Sequence, residues 1–133
     1  MSEFNDIDQC FVCGKGNPKG LQLDFSLNEE TKTAESTLAF PAHYNGWENV
    51  VHGGIVATVM DEVMVKSAHL NGHKVVTAEI KVQFKKPAYV ETPYRLIGEI
   101  IEVKRKIVLT KGTIMDSKNN IVALGFGKLF IVE

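Results

Sequence analysis

The sequence predicts an α+β protein in which one long helix packs against an antiparallel sheet. Three observations carry this: two strand-like runs precede a helical segment and four follow it, the later connectors are short, and the helix is apolar nearly all round. With 133 residues the chain matches about one domain, expected to span 1–133 with a Cys/Gly/Pro-rich N-terminal segment over 1–20.

In the first run, Leu21, Leu23, Phe25 and Leu27 alternate with Gln22, Asp24, Ser26 and Asn28, the period of a half-buried strand. Asn28-Glu29-Glu30-Thr31 is then a turn, and alternation resumes over 32–40 with Ala34, Ser36, Leu38 and Phe40 on one face. The two runs predict a hairpin that Pro41 stops. A loop leads to His52-Gly53-Gly54, after which residues 55 to about 70 contain neither Gly nor Pro and read as helix. Asn71-Gly72 predicts a left-handed cap at its end.

Projected at about 100° per residue, Val56, Met60, Val63, Ser67 and Leu70 share one face of this helix. Thr58, Glu62, Lys66 and His69 form an opposing stripe, narrow enough that most of the helix is expected to be buried. Further strands are predicted over 75–85, 94–103, 107–115 and 121–132. Their connectors require antiparallel pairing, since a parallel crossover needs about a dozen residues or more.

Composition narrows the function classes. Fifteen Lys and Arg against sixteen Asp and Glu leave a net charge of −1, which speaks against a nucleic-acid partner. No run reaches the roughly 20 apolar residues of a membrane span, and the start MSEFNDIDQC has neither a basic nor an apolar leader region, so a cytoplasmic protein is expected. Cys10 and Cys13 form one C-x-x-C, read in a reducing compartment as a knuckle-like turn. A tetrahedral zinc site needs two more ligands, which only His43 or a partner chain is in a position to add, so no metal is expected. Gly14-x-Gly16-x3-Gly20 follows no strand and carries no GK[ST], and is not a phosphate loop.

Candidate chemistry begins on the helix. Asp61 has Ala57, Thr58, Met64, Val65 and Ala68 as helical neighbours, with no cation in reach on its own helix. An acid there is costly unless paired or used, which leaves a catalytic and a hydrogen-bonding role both open. Glu62 has Lys66 four residues on and reads as a solvated ion pair. Gly53 and Gly54 allow close approach to the free N–H groups of the first helical turn, a candidate oxyanion site.

His52-Gly53-Gly54-x6-Asp61-Glu62, followed by Thr77-Ala78-Glu79-Ile80-Lys81-Val82-Gln83-Phe84-Lys85-Lys86-Pro87, closely resembles the hotdog-fold acyl-CoA thioesterases of the PaaI-like branch. The resemblance covers roughly residues 10 to 132, including Cys10-x-x-Cys13-Gly14, Asn17-Pro18 and Gly20-Leu21 of one subgroup. It implies a curved antiparallel sheet wrapped around the long central helix, and two chains, or a dimer of dimers, sharing active sites at their interface. It further implies that the Gly54 N–H polarises the thioester carbonyl and that Asp61 of the partner chain is the base or nucleophile. Thr77 would orient the attacking water, and Glu62 is the alternative acid, since some branches place theirs one position away.

Many relatives carry Asn six residues before the histidine, where this chain has Gly46 between Asn45 and Trp47. By the same resemblance Asn45, Trp47, Asn49 and Gly53 line the substrate site, with Trp47, Asn49 or His52 assisting at the carbonyl. Lys104-Arg105-Lys106 would hold coenzyme A phosphates, with Lys85 and Lys86 as competitors for that role. The expectation is a homo-oligomeric acyl-CoA thioesterase without cofactor. A hydratase is disfavoured because the eight residues from Asp61 to His69 do not match its Asp/His spacing. The rival reading is a non-catalytic acyl-CoA-binding protein or sensor, for which the short N-terminal stretch supplies no output segment.

Overall fold

A computed structural model of the chain describes residues 4–132. The first three residues of the expected domain, and Glu133, lie outside the described residues. Eight strands and one helix follow in the order β1 (Ser26–Asn28), β2 (Thr33–Ala39), β3 (Asn45–Trp47), β4 (Val50–Val51), α1 (Gly53–Leu70), β5 (Val75–Phe84), β6 (Pro93–Lys104), β7 (Ile107–Asp116) and β8 (Ile121–Ile131). Six of them form one antiparallel sheet in the order β1-β2-β6-β7-β8-β5, while β3 and β4 make a small separate hairpin. The strands pair antiparallel as the short connectors predict, and the sheet curves around α1 as the family resemblance implies. No helix among the described residues is long and apolar enough to cross a membrane.

The helix starts two residues earlier than its Gly-free stretch implies, because His52 caps it and both glycines enter its first turn. It ends as Asn71-Gly72 predicts: the Gly72 N–H bonds the His69 carbonyl, the His73 N–H bonds that of Ala68, and Gly72 sits at φ +94°. Those two bonds make a Schellman motif. Val56, Met60, Val63 and Ser67 are buried as projected, and Val59, Met64 and Ala68 join them, whereas Leu70 is only half-buried. Met60 and Met64 fill the room above Gly112 and Gly125, where a Cβ would collide with their side chains. At Gly98 a Cβ would run into the Val63 carbonyl oxygen, so the helix lies directly on the β6 backbone.

The predicted first strand is corrected. Only Ser26–Asn28 joins the sheet, although Leu23 is buried and its polar neighbours are exposed as the alternation implies. Gln22 takes a left-handed φ of +52°, which breaks the extended run, and the N–H groups of Leu21 and Leu23 bond the carbonyls of Phe11 and Val12. The run therefore pins the N-terminal segment to the core, where Val12 and Leu23 pack with Phe40, Val56 and Leu96. The predicted loop before the helix contains a 3-10 turn over Ala42–Tyr44 and the β3–β4 hairpin.

Candidate functional site

Asp61 is half-buried on the flank of α1 that faces β5. Its Oδ1 accepts a hydrogen bond of 2.7 Å from the Thr77 hydroxyl. A bulge makes this contact possible. Thr77 is opposite Leu129 and Glu79 opposite Lys128, so Ala78 is an extra residue in β5. Downstream, Ile80 and Val82 pack on the core and sit opposite Gly127 and Gly125. Side chains alternate along a strand, so without the extra residue Thr77 would project from the face opposite to theirs. With it, Thr77 shares the inner face with its buried partner Leu129 and reaches the helix.

At the helix N-terminus the His52 Nδ1 accepts a 2.9 Å hydrogen bond from the Gly54 N–H, the donor expected to polarise a carbonyl. The Gly53 N–H has no acceptor among the described residues, and Gly53 lies beside Phe84 at the far end of β5. Gly46 stands where a larger residue would press on His52: a Cβ there would come within 3.3 Å of the His52 Cα. Asn49 takes φ +61° in the β3–β4 turn, and its carbonyl accepts from the Val90 N–H, which gives it a structural duty. Trp47 at this hairpin is 82% exposed, and Asn45 is exposed beside it.

Glu62 departs from its sequence reading. Among the described residues it makes no ion pair with Lys66. Its carboxylate instead turns to the N-terminal segment, where the Cys10 Sγ lies 3.8 Å from each of its oxygens. Burial, reinforced by the adjacent Glu62 carboxylate, pushes the Cys13 thiol up to about 12. His43 stacks on Tyr44 at 4.3 Å between ring centres and is not part of this cluster. Sequence reasoning missed the cluster because nothing local links positions 10 and 62.

Lys104 ends β6, and Arg105 and Lys106 make the turn into β7, all three exposed, with Arg105 at φ +59°. Cross-strand register aligns Val103, Val108, Leu129 and Thr77 in one row, so this turn lies at the same end of the sheet as Thr77. Together with Ile107, Leu109, Lys128 and Phe130 it borders a surface groove of ≈ 640 Å³. Lys85 and Lys86 lie at the other end of β5, where both N–H groups bond the Val122 carbonyl.

The family model of the thioesterase superfamily matches residues 48–123, which span the histidine-glycine-glycine run, Asp61 and Thr77. Solved structures share the fold. One thioesterase superfamily protein is 22% identical with a TM-score of 0.86 over 93% of this chain, which spans only 60% of that protein's length. The PaaI protein from the phenylacetic acid degradation operon of E. coli is 18% identical, with a TM-score of 0.78 over 86% of this chain and 83% of its own. A Streptococcus mutans UA159 protein bound to acetyl CoA is 16% identical, with a TM-score of 0.76 over 83% of this chain and 88% of its own. No curated protein matches the sequence. With the family match covering more than half of the chain, and one long helix wrapped by a curved antiparallel sheet, the protein belongs to the thioesterase superfamily and has the hotdog fold.

Proposed function

We propose that the protein hydrolyses an acyl-CoA thioester to the free acid and coenzyme A, at a site shared between two copies of the chain. The observation that carries this reading is the Asp61 carboxylate, held by the Thr77 hydroxyl at 2.7 Å on an otherwise apolar helix flank. Asp61 acts as general base on water or as nucleophile, and Thr77 fixes which carboxylate oxygen faces the substrate. When water is the nucleophile, its oxygen attacks the carbonyl carbon, Asp61 takes its proton, and the carbon–sulfur bond breaks to release the coenzyme A thiolate.

The negative charge that develops on the carbonyl oxygen is met by the N–H of Gly54 at the positive end of the helix dipole. The His52 Nδ1 accepts from that N–H, so a bound carbonyl would replace the imidazole as its acceptor. Gly53 supplies room and a second N–H. Trp47, Asn45 and Asn49 border the approach to this end of the helix.

Spacing along the helix supports a second copy. Seven residues separate Gly54 from Asp61, a helical rise of about 10.5 Å at about 1.5 Å per residue. An oxyanion donor and a base serving one carbonyl must each lie roughly 3 Å from the reacting atoms. That spacing stretches the two groups of one chain around a single carbonyl, whereas Gly54 of one chain and Asp61 of another are not bound by it. Strand β5 is an edge of the sheet and ten residues long, an open ladder suited to pairing with its own copy. We therefore read the protein as a homodimer, or a dimer of dimers, acting in the cytoplasm.

Two similar structures, the Streptococcus mutans protein and a Streptococcus pneumoniae TIGR4 hypothetical thioesterase, hold acetyl CoA and coenzyme A respectively, which supports an acyl-CoA ligand. The basic turn Lys104-Arg105-Lys106, at the Thr77 end of the sheet, suits the nucleotide phosphates. The test is release of free coenzyme A from a panel of short, medium, long and aromatic acyl-CoAs. Turnover of at least one member is expected. Saturable binding with no release across the panel would replace hydrolysis by the binding or sensor reading.

A further inference from the structure

We infer that Cys10, Cys13 and Glu62 form a binding site for a thiophilic divalent cation of the zinc class, clipping the N-terminal segment to the middle of α1. The Sγ atoms of both cysteines and a Glu62 carboxylate oxygen lie within 4.8 Å of one another, and the Cys10 Sγ is 3.8 Å from each carboxylate oxygen. Zinc bound tetrahedrally at about 2.3 Å from sulfur and about 2.1 Å from oxygen sets its ligand atoms roughly 3.5 to 3.8 Å apart. The cluster is therefore close to the spacing that a bound ion would impose.

The backbone holds this arrangement. The Gly14 N–H bonds the Cys10 carbonyl at 2.7 Å, folding the C-x-x-C into a closed knuckle. A Cβ at Gly14 would lie 2.5 Å from the Cys10 nitrogen and 2.7 Å from the Asp8 carbonyl oxygen, so only glycine fits there. The Gly16 N–H also bonds the Asp8 carbonyl, and the Leu21 and Leu23 N–H groups tie the following strand-like run to Phe11 and Val12. The knuckle is thereby fixed on the core through buried Val12, and its two sulfurs face Glu62.

Ionised together as metal ligands, two thiolates and a carboxylate at this spacing would repel one another at a cost. A divalent cation turns that cost into attraction. Two thiolates favour zinc over magnesium or calcium, and three protein ligands leave a fourth position to water. Glu62 then has a duty separate from that of Asp61, and the site stands whether or not the thioester chemistry does. Sequence spacing alone offers His43 or a partner chain for the two missing ligands; the fold brings Glu62 to the cysteines.

The test titrates zinc into reduced, chelator-stripped protein, with calorimetry for stoichiometry and cobalt substitution for ligand type. About one zinc per chain is expected, with a thiolate-to-cobalt charge-transfer band and a rise in melting temperature. The double variant Cys10→Ser/Cys13→Ser should lose binding, band and melting shift together. Glu62→Gln should keep the band and bind at least ~10-fold more weakly. Circular dichroism of each variant checks that the fold persists. Absence of stoichiometric zinc binding by the reduced wild-type protein overturns the inference, as does binding that survives in the folded double-serine variant.

Discussion

Asp61 and Glu62 are adjacent in the chain, yet about 100° of helical rotation sends them to different regions of the molecule. Asp61 turns to the edge strand β5, where Thr77 offers one hydroxyl. Glu62 turns to the N-terminal knuckle and two thiols. The first region is built on regular elements, a helix flank and a bulged strand. The second joins a helix to a coiled segment through contacts 52 positions apart in sequence. The difference teaches that an acid's chemistry here is set by which neighbour the fold supplies, since both carboxylates occupy the same turn of the same helix.

The sharpest way to break this comparison is to neutralise each acid in turn. Asp61→Asn should keep the fold, because the amide oxygen still accepts from Thr77, and should lower thioester turnover by at least ~100-fold because it cannot take a proton. Glu62→Gln should lower turnover much less. Steady-state coenzyme A release by both variants checks this, and loss of activity in Glu62→Gln with retention in Asp61→Asn would reverse the assignment.

Next in size is the effect of Gly54→Ala, expected to raise the barrier by about 3 kcal/mol, or roughly 100-fold in rate, by disturbing one oxyanion donor. Gly54 is not among the residues of positive φ, so alanine is conformationally permitted, and its Cβ would lie 3.1 Å from the His52 Nδ1. The imidazole must shift, while alanine favours the helix more than glycine does. Turnover should fall with little change in melting temperature. Unchanged turnover at an unchanged melting temperature would make the helix start a turn and nothing more.

A smaller effect sharpens the Asp61 side. Thr77→Val removes the hydroxyl and keeps the branched shape, and loss of one hydrogen bond to a charged group is worth about 1.5 to 3 kcal/mol. Turnover should drop by roughly 10-fold or more, and Thr77→Ser, which restores the hydroxyl, should recover most of it. Equal losses in both variants would mean that the methyl contact matters and the hydrogen bond does not.

These sites were unequally legible in the sequence. The helix and its end could be read because their signals are local: apolar periodicity, then Asn71-Gly72 at the position a Schellman motif requires. Asp61 stood out because no cation was near it on its own helix. Thr77 required a family resemblance, since the bulge at Ala78 that turns it inward leaves no mark in the alternation of β5. The run from Leu21 kept its pattern of burial but not its ladder, because burial follows side-chain alternation while pairing also depends on backbone angles such as that of Gln22. Glu62 was misread as an ion pair because Lys66 is close in sequence and the cysteines are not.

The central claim is that Gly54 and Asp61 of one chain serve different thioesters. Mixing two inactive variants tests it most directly: Asp61→Asn and Gly54→Pro, the latter deleting the N–H at a first-turn position where helices tolerate proline. Each parent alone should be nearly inactive. A mixed dimer regains one intact site of its two, and random exchange makes about half of the dimers mixed, so about a quarter of wild-type turnover should return. If subunit exchange is demonstrated and the mixture is no more active than its parents, the shared site is contradicted and both groups must act within one chain.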